Sequence, residues 1–187
     1  MKTILERLMN LSKKLSGFPE TTYWLCVVPM IFIACTVAMW PVLGAPHDLF
    51  PTGVDTVGHL TKVEQLAANW SRLSFADWFP QWYMGATFVQ YYAPLSFWLG
   101  SLIQLLTGNI MLTFKLFAFA CLFLGGIFTS GLAKKFGADP AAGATSGVLY
   151  ALGFSSLYIV FIDGTLGRAL TLPLFPLLLG QMVSLYS

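Results

Sequence analysis

Charge is what this sequence has least of. Ten Lys and Arg and eight Asp and Glu make up 10% of 187 residues, against roughly 25% in soluble domains. So few charges cannot coat a globule in water. With 57% apolar residues and a mean hydropathy of +0.73, the chain reads as an all-α integral membrane protein. A net charge of +2, with no basic patch or stripe, excludes a nucleic-acid surface. Histidine is scarce, with only His47 and His59, and the three cysteines, Cys26, Cys35 and Cys121, sit in apolar runs without paired spacing. Neither a disulfide framework nor a zinc site is written in that pattern, and the cysteines read as small buried hydrophobes.

The first 22 residues do not read as a cleavable secretory leader. Lys2, Arg7, Lys13 and Lys14 alternate with Ile4, Leu5, Leu8, Met9, Leu11 and Leu15, a basic amphipathic pattern suited to an anionic cytoplasmic leaflet. Residues 23–44 carry no charge and are long enough to cross a core of about 30 Å, with Trp24 and Trp40 as interfacial anchors. This is span one. Residues 45–109 form a long loop, 110–133 span two, 141–162 span three and 169–187 span four, with an apolar run at the chain end that leaves room for further spans.

The apolar stretch 94–107 decides the topology. About fourteen residues are short for a span and fit an interfacial helix. If that stretch lies in the interface, Lys134 and Lys135 join the four N-terminal basic residues inside, leaving Lys62, Arg72 and Arg168 outside. That division follows the positive-inside rule better than the one produced by a spanning helix. The N-terminus is then cytoplasmic, and Asp55 and Asp163 lie on one extracytoplasmic face.

Within the loop, Leu60, Val63, Leu66, Ala67, Trp70 and Leu73 recur at helical spacing, which predicts a surface helix over 55–73 with its apolar side on the membrane. Asp55, His59 and Lys62 are four and three residues apart and are expected on the opposite, open face. They suit a binding site, or equally a solvated face with Asp55 as helix cap. The following segment is aromatic, with Trp78, Phe79, Trp82, Tyr83, Phe88, Tyr91 and Tyr92. Such residues form an interfacial belt or a platform for a sugar or lipid headgroup. Lys115 is an ionisable residue within a span, a functional candidate or a snorkelling lysine. Arg168 either meets an anion or anchors span four. Gly143-Ala144-Thr145-Ser146-Gly147 is a small-xxx-small pattern for helix packing.

Taken in order, Gly53-Val54-Asp55-Thr56-Val57-Gly58-His59, Trp78-Phe79-Pro80-Gln81-Trp82-Tyr83-Met84-Gly85 and Tyr91-Tyr92-Ala93-Pro94-Leu95-Ser96-Phe97-Trp98 resemble the N-terminal module of GT-C-type membrane glycosyltransferases. More narrowly, residues 20–187 are similar to bacterial membrane proteins described as 6-pyruvoyl-tetrahydropterin synthase related. The resemblance implies a bacterial inner-membrane enzyme that transfers sugar from a polyprenyl phosphate donor on the outer face. It implies Asp55 and Asp163 as catalytic acids and a basic residue at the position of Lys115. Apart from the resemblance, a departing phosphate needs positive charge, for which Lys115, Arg168 and His59 are candidates, or a divalent cation held between Asp55 and Asp163, and Lys62, Trp82, Tyr91 and Tyr92 are further candidate substrate contacts. Arg168 stands where the resemblance would place a glutamate.

Two functions from different classes follow. One is a glycosyltransferase-like module, catalytic as part of a longer chain. The other is a non-catalytic accessory subunit, the expectation if 187 residues are the whole protein, which would dock other membrane subunits through the loop.

Overall fold

The computed structural model describes residues 19–46, 53–71, 78–79, 85–87 and 93–185. These form helices α1 (Glu20–Leu43), α2 (Thr56–Ser71), α3 (Pro94–Thr107), α4 (Ile110–Lys135), α5 (Pro140–Leu152), α6 (Phe154–Leu157) and α7 (Leu166–Leu185). A π-helical run, Tyr158–Asp163, continues α6, and strands β1 (Trp78–Phe79) and β2 (Ala86–Thr87) pair antiparallel. The protein is an all-α membrane protein. Helices α1, α4 and α7 are long and apolar enough to cross a bilayer, and α5 with Phe154–Asp163 makes a fourth crossing if the pair counts as one span. The third run, expected to be continuous, is bent by 41° at its break. Gly153 ends α5 with ψ 146°, an extended backbone that carries the chain out of the helix. The carbonyl of Tyr150, left without its helical donor there, accepts from Ser156 Oγ at 2.6 Å.

The chain forms two compact units. One draws on Met1–Trp40, Phe119–Ser156 and Thr171–Ser187, and small residues dominate its helix contacts. A Cβ on Gly126 would lie 3.0 Å from the Gly147 carbonyl and 2.8 Å from Ile31 Cγ2, so α4 and α5 approach backbone to backbone in the manner of small-residue membrane packing. Tyr23 Oη donates to the Ser130 carbonyl at 2.8 Å, and Ser130 Oγ lies 2.7 Å from the Gly143 carbonyl. Pro176 cannot donate to the carbonyl four residues back. Tyr150 Oη supplies that missing donor to Leu172 at 3.0 Å. At one end Lys134 pairs with Glu20 at 2.9 Å and lies over the rings of Tyr23 and Trp24, while Lys135 donates to the Gly180 carbonyl at 2.6 Å.

The other unit draws on Pro41–Ala118 and Leu157–Leu170. Its core is the packing of α2 on α3. Val63 fills the space beside Gly100, whose Cβ would lie 2.9 Å from Val63 Cγ2, and Ser101 Oγ donates to the Val63 carbonyl at 3.0 Å. The apolar face of α2 is therefore covered by a protein helix, not by the membrane as its periodicity predicts. Helix α3, at 14 residues, is about 21 Å long and too short to cross the hydrocarbon core. Leu95, Trp98, Leu102, Leu105 and Leu106 are exposed on it as an apolar stripe. In the aromatic segment the β1–β2 pair is an addition to the expected helices: Trp78 faces Thr87, Phe79 faces Ala86, and Gly85 takes φ 111° beneath the Trp78 indole.

Candidate functional site

The site begins with the geometry of Asp163. A six-residue π-helix, Tyr158–Asp163, ends at Gly164, which takes φ 69° and donates its N–H to the Ile159 carbonyl at 3.0 Å. Helix C-termini leave carbonyls without intrahelical donors, and helix N-termini leave N–H groups without acceptors. Here each satisfies the other. The Val54 N–H donates to the Ile162 carbonyl at 2.8 Å and the Asp55 N–H to the Asp163 carbonyl at 3.0 Å. The partially negative end of one helix thus meets the partially positive start of α2, a favourable pairing of dipoles.

Two acids separated by more than a hundred residues of sequence are so joined through their own backbones. Asp55 is exposed. Asp163 is 18% exposed at its side chain and pairs with Arg168 at 2.8 Å. With Arg168 60% exposed, such a pair adds at most about 1 kcal/mol of stability, so its main consequence is to orient the carboxylate. The turn is tightly built. A Cβ on Gly164 would lie 3.1 Å from the Thr56 nitrogen, and one on Gly53 would lie 3.2 Å from Gly164 Cα.

His59 and Lys62 depart from expectation. Both are buried, at 2% and 6% exposure, so they lie with Leu60 and Val63 and not on an open face with Asp55. The reason is α3. Its Phe97 ring stacks on the His59 imidazole with centroids 5.3 Å apart and planes 5° from parallel, and this turns the polar residues of α2 inward. Burial, and then the neighbouring Lys62 ammonium, push the His59 pKa down to about 4, with Asp55 and Asp163 opposing. Burial likewise lowers that of Lys62 to about 8, opposed by Asp55. At neutral pH His59 is therefore an uncharged imidazole.

Lys115 is also corrected. It is 1% exposed and its ammonium donates to the carbonyls of Leu43, at 3.3 Å, and of Ala45. It closes the C-terminal end of α1, where carbonyls need donors. Trp82, Tyr91 and Tyr92 lie outside the described residues. As for a divalent cation, no group of three or more His, Cys, Asp or Glu side chains able to hold one occurs among the described residues. Asp163 is also already engaged by Arg168. The arrangement does not fit a metal bridged between the two acids.

Sequence reasoning gave Gly53, Thr56 and Gly164 no role in the site. Glycines at 53 and 164, each within two residues of an acid, were the available signal, since glycine is the residue that permits close backbone approach.

The fold and this junction define an all-α membrane protein in which the start of α2, the end of the π-helical run and the start of α7 bring two acids and an arginine together at one turn. The family described as "6-pyruvoyl-tetrahydropterin synthase related domain; membrane protein" matches residues 89–186. The chain belongs to that family. No curated protein and no solved structure matches it.

Proposed function

We propose that this chain is a glycosyltransferase-like membrane module that moves a sugar from a polyprenyl phosphate donor on the extracytoplasmic face of a bacterial inner membrane. The observation that carries the reading is the backbone junction of Asp55 and Asp163, with Arg168 on the second acid. Glycosyl transfer needs these parts. A carboxylate takes the proton of an acceptor hydroxyl as its oxygen bonds to the anomeric carbon. The bond from that carbon to the donor's phosphate oxygen breaks, and the phosphate leaves with the electron pair. Its growing negative charge needs a fixed cation nearby.

In this reading Asp55, exposed and free to meet an acceptor, is the base. Arg168, which pairs with Asp163, is the cation for the leaving phosphate. Asp163 is then the residue that orients Arg168. The apolar stripe of α3 suits a lipid-linked donor, and the positive-inside count puts Lys134 and Lys135 on the cytoplasmic side, opposite the acids.

Transfer from a lipid-linked donor, assayed in membranes with the protein as it is expressed, tests this. Asp55→Asn is expected to lower turnover by about 10² to 10⁴ while the variant inserts and purifies like the parent. Wild-type transfer by Asp55→Asn overturns the assignment and favours the accessory-subunit reading, in which neither acid affects chemistry.

A further inference from the structure

Thr56 opens α2 immediately after Asp55 and is 1% exposed. Its hydroxyl oxygen fills the space that Gly53 and Gly164 both face, so a Cβ on either glycine would overlap it. Around that side chain the two turns touch backbone to backbone: the Cβ position of Gly53 is 3.2 Å from Gly164 Cα and 3.3 Å from the Phe161 carbonyl. The bonds from Val54 to Ile162 and from Asp55 to Asp163 flank the same point. The Thr56 hydroxyl has no hydrogen-bond partner among the described residues. What the described residues offer it is close packing, with the Gly53 and Gly164 Cβ positions both within overlap of its oxygen.

We infer that Thr56 is a positioning residue, the spacer whose side chain sets how closely the Asp55 and Asp163 turns approach. Without its bulk the glycines leave a gap that the two turns can close or slide across. Displacements of about 1 Å cost up to about 10²-fold in rate when they move a reacting group. The inference rests on the reading of these acids as the chemical site. Its geometric half does not, because hydrogen exchange at the Val54 and Asp55 amides reports the junction directly.

Two measurements on the full chain separate the possibilities: hydrogen exchange at those two amides, and the kcat and KM of lipid-linked sugar transfer. Thr56→Val keeps the shape and is expected to match the parent in both. Thr56→Ala is expected to speed exchange about 10-fold or more and to lower kcat about 10-fold with KM held, within the range that misplacement produces. Gly53→Ala alone is expected to disturb both through its overlap with Thr56 Oγ. Combined with Thr56→Ala, it refills the vacated space and restores both. Gly164→Ala should not rescue in the same way, because φ 69° strains any side chain there.

Parent-like exchange in Thr56→Ala, or a Gly53→Ala/Thr56→Ala protein no better than either single variant, overturns the inference whatever Asp55→Asn does. Rescue of exchange alongside native turnover in Asp55→Asn upholds the spacer and overturns the catalytic reading instead. If Thr56→Ala alone does not insert, recovery of insertion on adding Gly53→Ala is the same rescue, and its failure overturns the inference.

Discussion

Acid should loosen the α2–α3 packing through one side chain. His59 lies flat on Phe97 at 2% exposure, and its pKa is held at about 4 against an ordinary 6.5. Between those two values the unfolded chain binds a proton at this position and the folded chain does not. Stability contributed by the neutral imidazole is therefore complete above pH 6.5 and is lost as pH falls towards about 4. At about 1.4 kcal/mol per pH unit, the full loss comes to ~3 kcal/mol. Lys62 acts with the same sign in a separate window: its lowered value of about 8, against 10.5, makes stability rise as pH climbs between the two. His59→Phe keeps a flat ring on Phe97 and removes the proton site. Thermal unfolding in detergent, followed from pH 7 to pH 4, should show the parent falling faster than this variant. Parallel curves would refute the buried, neutral histidine.

Replacing Lys115 by Met removes the donors to the carbonyls of Leu43 and Ala45. Leaving these half-buried carbonyls without a donor costs at most about 1–3 kcal/mol each, so Lys115→Met should lower thermal stability while leaving KM for a lipid-linked donor unchanged. A raised KM with parent-like stability would return Lys115 to the substrate. Sidedness is open to cysteine labelling in intact cells: Asp163→Cys is expected to react with a membrane-impermeant reagent and Lys135→Cys to be protected, and the reverse pattern would invert the proposed topology.

The helices were legible because their signals are local. Pro94 and Gly108 bracket α3 at the residues that begin and cap it, with Gly108 at φ 64°, and Asp139-Pro140 opens α5 with the Asp139 carboxylate accepting from Ala142 N–H at 2.8 Å. Proline at the first helical position and glycine past the last act within one turn of chain, so sequence alone carries them. The break at Gly153 was less legible. An isolated glycine in an apolar run is as often a packing residue as a hinge, and it is the α6 turn and the six-residue π-helix after it that make it the break.

The faces of α2 were misjudged for a different reason. Periodicity gives the angle between residues but not what lies on the far side, and a helix with Leu60, Val63 and Leu66 on one stripe can be covered by lipid or by another helix. Here α3 covers it, and because Phe97 offers a flat ring at the level of His59, the buried sector widens to take in an imidazole and an ammonium that hydropathy assigns to water. The same limit hid the acid junction. That Asp55 and Asp163 share a face follows from counting lysines and arginines, but that their backbones bond depends on a π-helix ending at a left-handed glycine opposite a helix start. Neither half of that junction has a use without the other. Gly164 without Thr56 is merely a turn, and Thr56 without Gly53 and Gly164 has nowhere to put its side chain, so a reading that takes residues one segment at a time assigns each a bland role. The meaning of these three residues lies in their convergence, and convergence is what a linear pattern cannot carry.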